Sequence, residues 1–145
     1  MSLLMGSSPP ANFVQLIMPE SAAAKRKALL VEDEFLIAIA AAELLSNLGF
    51  EVVGPARGVD EALWLVDEQS DLVLAVLDVH LGEDLVWPVA RQLIKQSVPF
   101  LFITGDAEIQ LPPGLENCQI LVKPFDQGTL EHAIAAILPE SRQTG

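Results

Sequence analysis

Two hydrophobic rhythms alternate along this chain. The first is the short unbroken apolar run, seen in Ala28-Leu29-Leu30-Val31, in Val52-Val53, in Leu72-Val73-Leu74-Ala75-Val76-Leu77, in Phe100-Leu101-Phe102-Ile103 and in Ile120-Leu121-Val122. Such a run predicts a strand buried on both faces, the condition of a parallel sheet. The second rhythm spaces apolar residues three and four apart. Ile37, Ala41, Leu44, Leu45 and Leu48 form one stripe over 35–48, closed by Gly49. Val59, Ala62, Leu63 and Val66 mark a second over about 60–69, and Val86, Val89, Ala90, Leu93 and Ile94 a third over 85–96. Leu130, Ala133, Ile134, Ile137 and Leu138 mark a last one over 127–138, stopped by Pro139. Each stripe predicts an amphipathic helix.

Punctuation refines the elements. Gly54-Pro55 is expected to stop the second strand. Pro88 is tolerable in the first turn of the third helix, and Asp84 is placed to cap that helix. Between Asp106 and Asn117, Pro112-Pro113-Gly114 leaves room for a short helix at most. Strand and helix therefore alternate, which predicts right-handed crossovers and helices on both faces. The expected fold is α/β, a doubly wound five-stranded parallel sheet with a shortened or irregular fourth helix.

Length and composition narrow the function. The chain has 145 residues, so one domain is expected over 25–140, with 1–24 an N-terminal tail or docking segment and 141–145 a C-terminal tail. A net charge of −12 repels phosphate backbones and anionic lipid, so neither nucleic acid nor membrane is an expected partner. The lone Cys118 rules out an internal disulfide and a cysteine zinc site and, with no secretory signal, fits the cytoplasm. Leu3, Leu4 and the apolar Phe13–Met18 segment suggest docking on the domain or a homodimer contact. Seven residues follow Leu138, too few for a DNA-reading module, so output is expected through protein contact or a domain outside this chain.

The chemistry lies at the strand ends. In a parallel sheet Glu32, Asp33, Asp78, Thr104 and Lys123 all face the carboxyl edge, where ligands of open α/β sheets bind. Clustered carboxylates repel one another, and a hard divalent cation such as Mg²⁺ is the usual remedy. A hydroxyl and an ammonium beside that metal fit a bound anion. The set describes a phosphoryl site, with Asp78 as nucleophile and Thr104 and Lys123 on the phosphoryl oxygens. Taken singly, each residue has an ordinary explanation: Glu32 or Asp33 as a helix cap, Thr104 as a turn residue, Lys123 as a solvated charge.

Val31-Glu32-Asp33-Glu34, Val76-Leu77-Asp78-Val79, Ile103-Thr104-Gly105 and Val122-Lys123-Pro124-Phe125 resemble the signature blocks of response-regulator receiver domains, over about Lys25 to Leu138. The resemblance implies a flavodoxin-like (βα)5 receiver of two-component signalling. It implies Asp78 as phospho-acceptor and Mg²⁺ held by Glu32, Asp33, Asp78 and the backbone carbonyl of His80. It makes Thr104 the switch hydroxyl and Lys123 the phosphoryl partner, with a cis bond before Pro124. His80 and Asp106 then flank the attacking water and tune the lifetime. The implied partners are a sensor histidine kinase or histidine phosphotransferase and an unknown downstream protein. The implied chemistry is self-phosphorylation from a donor and autodephosphorylation, not turnover of a separate substrate. The block around Phe100–Gly105 also resembles stand-alone alphaproteobacterial receivers.

Two features depart from the family pattern. The usual aromatic three positions before the lysine is Ile120, and the chain has no tyrosine. The stretch between Thr104 and Lys123 is short and proline-rich, so output is expected to be unconventional. Alternatives stay open: an interaction-only receiver that is never phosphorylated, a Mg²⁺-dependent phosphatase-like enzyme, or a flavodoxin-like cofactor binder. The phosphatase family wants a second aspartate where His80 stands, and a phosphate loop after the first strand would meet Glu32-Asp33-Glu34.

Overall fold

The computed structural model of the protein describes residues 25–139. The expected tails, the Leu3/Leu4 pair and the Phe13–Met18 segment lie outside the described residues. The elements run β1 (Arg26–Val31), α1 (Phe35–Asn47), β2 (Phe50–Ala56), α2 (Val59–Glu68), β3 (Leu72–Asp78), α3 (Trp87–Lys95), β4 (Phe100–Thr104), β5 (Ile120–Val122) and α4 (Gln127–Ile137). The sheet has five parallel strands in the order β2-β1-β3-β4-β5, the doubly wound arrangement expected.

Strand alternation divides the core. Leu29, Val31, Ala75, Leu77 and Phe102 face one side, where Ala62, Val66, Val89 and Leu93 of α2 and α3 cover them. Ala28, Leu30, Leu74, Val76 and Leu101 face the other, under Ala41 and Leu45 of α1 and Leu130 and Ile134 of α4. β3 is sandwiched from both sides, so its continuous apolar run is what burial requires.

The structure corrects several expectations. Gly54-Pro55 does not end β2; the strand runs through a cis Gly54–Pro55 bond to Ala56. β2 is an edge strand, so the missing proline N–H leaves no ladder bond unmade. The register shifts here, from Leu29↔Val53 to Val31↔Ala56, and Ala56 then accepts from the Glu32 N–H at 2.9 Å. Asp84 caps nothing: Val86 is the N-cap of α3 and makes no side-chain cap bond. Gly82, at φ +63°, lets residues 80–85 fold back as a small antiparallel hairpin, pairing Leu81 with Asp84. Ile94 is 50% exposed rather than part of the core stripe, and α1 buries Ala38 while exposing Phe35, Leu36 and Ile39. Where a shortened or irregular helix is expected between β4 and β5, residues 105–119 form irregular turns, with Leu115 buried and Ile109, Leu111 and Cys118 against the core. No described helix is long and apolar enough to cross a membrane.

The bulge at Gly54 sets where β1 ends. A Cβ there would stand 2.7 Å from Ala56 N and 2.8 Å from Leu30 O, at φ +100°. A Cβ added at Gly82 would meet nothing within 4 Å, so only the backbone angle matters there. Gly54→Ala is therefore expected to cost about 3 kcal/mol or more and Gly82→Ala about 1 kcal/mol, read from denaturant midpoints. Equal losses would contradict the close approach.

Candidate functional site

Among the described residues, the buried polar or charged ones are Glu32, Asp78 and Thr104, and all three sit at the carboxyl edge of the sheet. Glu32 follows β1, Asp78 closes β3, and Thr104 closes β4, one residue beyond Ile103, the register partner of Asp78. Lys123 follows β5, and its N–H donates to the Thr104 carbonyl at 2.8 Å. Two parallel strands thus bring carboxylates together and the fifth brings an ammonium, while the Thr104 hydroxyl closes β4 on the same edge and accepts from the Asp106 N–H.

That ammonium is the hub. Lys123 Nζ lies 3.1 Å from Glu32 Oε1, 3.2 Å from Asp78 Oδ2 and 3.2 Å from Glu34 Oε1. Backbone donors hold the acids in turn: the Glu34 N–H donates to Glu32 Oε2 at 3.1 Å, and the Gly82 N–H to Asp33 Oδ2 at 2.8 Å. A long contact of 3.4 Å joins the His80 N–H to Asp78 Oδ1. The peptide bond between Lys123 and Pro124 is cis. Above the cluster opens a cleft lined by Asp33, Glu34, Asp78, His80, Gly105 and Lys123.

Electrostatics follow from the crowding. Burial, then hydrogen bonding to the Asp78 side chain, pushes the Glu32 carboxyl up to about 8, against the pull of the Glu34 N–H and Lys123. For Lys123, burial works against the charged form, yet Asp78, Glu32 and Glu34 outweigh it and the pKa is raised. Three acidic side chains face one ammonium and Asp33 stands beside them, so acids outnumber the single base at this edge.

Glu32, Asp33 and Asp78 each offer an oxygen within 4.8 Å of the others. Glu32 Oε1 is buried without a hydrogen bond; it has only the ion-pair distance to Lys123. An orphaned buried oxygen, an all-oxygen donor set and a surplus of acids over bases suit a hard divalent cation such as Mg²⁺.

The remaining expected residues fall differently. His80 is exposed at the cleft rim. Asp106 is also exposed; its side chain accepts from the Glu108 N–H at 2.9 Å, while its own N–H donates to Thr104 Oγ1 at 3.1 Å. Asp106 is thus tied into its own turn. The sequence reading missed Glu34 as a partner of Lys123 and Gly82 as the brace of Asp33. The Glu-Asp-Glu run held the first signal; the second needed the hairpin.

No family model matches the chain. It is 32% identical over 130 residues to the transcriptional regulatory protein PdtaR of Mycobacterium tuberculosis, covering 84% of this chain and 61% of that one. The chain therefore spans about three-fifths of that relative's length. The solution structure of SdrG from Sphingomonas melonis Fr1 is 34% identical, with a TM-score of 0.69, covering 77% of this chain and 95% of SdrG. A structure of the BeF3-activated conformation of SdrG is 33% identical, with a TM-score of 0.66, covering 79% and 97%. The strand order, the acidic edge and these likenesses agree: the chain belongs to the response-regulator receiver domains of two-component signalling.

Proposed function

We propose that the protein is a phosphoacceptor module that carries a phosphoryl group on Asp78. The observation behind this is a buried strand-end carboxylate, 4% exposed in its side chain, beside an ammonium and under an open cleft. The donor is a phosphohistidine on a histidine kinase or histidine phosphotransferase. An Asp78 oxygen attacks phosphorus, the P–N bond breaks, and its electron pair returns to the imidazole, which takes a proton from solvent. Later, water attacks phosphorus, the P–O bond to Asp78 breaks, and the carboxylate leaves.

Residues of this chain set the stage for both steps. Glu32, Asp33 and Asp78, with the His80 carbonyl, would hold Mg²⁺, which when bound neutralises charge on the phosphoryl oxygens. Lys123 Nζ stands at the edge of Asp78 and pairs with an incoming phosphoryl oxygen. Thr104 Oγ1 closes the neighbouring strand and offers a hydroxyl to another. Gly82 keeps Asp33 turned toward the cleft through the 2.8 Å bond from its N–H. Phe35, Leu36 and Ile39, exposed on α1 beside this edge, give a protein donor an apolar landing surface. Signalling then passes by protein contact to a downstream partner, with residues 25–140 acting as one receiver in the cytoplasm.

Intact mass after incubation with Mg²⁺ and acetyl phosphate tests the reading. One phosphoryl adduct is expected on the wild type and none on Asp78→Asn. An adduct of equal yield on the variant would move the acceptor elsewhere. No adduct on the wild type, whether from acetyl phosphate or from a phosphorylated histidine phosphotransferase, would leave an interaction-only receiver.

The raised Glu32 carboxyl predicts a pH effect on the metal-free protein. A carboxyl lifted from 4.5 to about 8 on folding favours the fold fully below pH 4.5, and that contribution is lost as pH rises through 8. The denaturant midpoint in EDTA is therefore expected to fall between about pH 5 and 8, and Glu32→Gln to remove most of the fall. An unchanged slope in the variant would contradict the assignment.

A further inference from the structure

Lys123 has one partner outside the set that the phosphoacceptor reading uses. Glu34 Oε1, 3.2 Å from Nζ, belongs to a side chain 60% exposed, whereas Glu32 and Asp78 are 0% and 4% exposed. The contact with Glu34 has hydrogen-bond geometry, while buried Glu32 Oε1 is left without a hydrogen bond. The ammonium thus bridges two buried carboxylates and one at the cleft mouth.

We infer that Glu34 is a positioning residue that competes with the phosphoryl group for Lys123 and so limits both the rate of Asp78 phosphorylation and the lifetime of the acyl phosphate. This rests on the phosphoacceptor reading above. A lysine ammonium has three donors, and here it faces three carboxylates. A phosphoryl oxygen gains a donor only when one of them gives way. Glu32 and Asp78 are the buried carboxylates that would turn to Mg²⁺ and to the phosphoryl group, so Glu34 is the carboxylate still holding the ammonium when both are bound. Glu34 is half in solvent and is the partner that can let go. Its charge also sits at the cleft mouth, where it opposes an arriving phosphate anion. While Glu34 holds Lys123, the phosphoryl group is less well neutralised, so it arrives more slowly and leaves faster.

Glu34 caps α1 without any side-chain cap bond, so replacing it leaves the helix start intact. The test compares wild type, Glu34→Gln and Glu34→Asp at saturating Mg²⁺, measuring labelling of Asp78 by acetyl phosphate, loss of the label, and beryllofluoride affinity. An exposed ion pair is worth a few tenths to one kcal/mol, so roughly two- to fivefold faster labelling, slower loss and tighter beryllofluoride binding are expected for Glu34→Gln. Glu34→Asp, which keeps the charge, should move back toward wild type. The gap should narrow at high salt, which screens an exposed charge but would not erase a packing defect. Equal rates and affinities in wild type and Glu34→Gln, or slower labelling in the variant, would overturn the inference while leaving Asp78 as acceptor. A wild type that neither takes label nor binds beryllofluoride would remove the phosphoacceptor reading, and this inference with it.

Discussion

Glu32 and Asp78 lie at the ends of adjacent parallel strands, closed off from water, with one lysine ammonium between them. Burying like charges together is costly unless a countercharge and hydrogen bonds compensate. Much of the carboxyl edge serves that need. β5 is three residues long, yet it is what carries Lys123 to the cluster. The bulge in β2 turns Ala56 so that its carbonyl takes the Glu32 N–H, and the 80–85 hairpin turns the Gly82 N–H onto Asp33. Compensation is incomplete, since Glu32 Oε1 keeps no hydrogen bond. That shortfall leaves one buried, unsatisfied oxygen at the carboxyl edge.

The same logic separates scaffold from site. The apolar strands need nothing but burial, and their side chains on both faces are covered by paired helices. Between β4 and β5, where no helix forms, the turns of 105–119 still pack against the cluster that holds Phe102, whose ring lies edge-on to Trp87 at 5.4 Å and to Phe100 at 5.4 Å. Ile120 pairs with Phe102 in the sheet and packs, partly buried, against the core cluster that contains it. The face that departs from the family pattern is therefore well packed, by aromatic residues on β4 and α3 rather than on β5.

The sequence is most legible where one force dominates. Continuous apolar runs have one good solution, so five strands and their order of use can be read directly. The strand-end positions of Glu32, Asp33, Asp78, Thr104 and Lys123 follow from that topology. Local competition is harder to read. Gly54-Pro55 looks like a stop because its edge location is not visible in the sequence, and Asp84 looks like a cap because the reversal at Gly82 depends on backbone angle. Ile94 matches the helical period but falls on the outer side of α3. Glu34 is hidden for another reason: its partner lies 89 positions away, and no spacing rule reaches that far.

Borohydride reduction locates an acyl phosphate chemically, because it converts the phosphorylated aspartate to homoserine and leaves free carboxylates untouched. Applied to protein treated with Mg²⁺ and acetyl phosphate, followed by peptide sequencing, it asks where the phosphoryl group was held. Homoserine is expected at position 78 and nowhere else. Homoserine at Asp33 or another acid, or a stable adduct on His80 that borohydride does not touch, would contradict Asp78 as the acceptor.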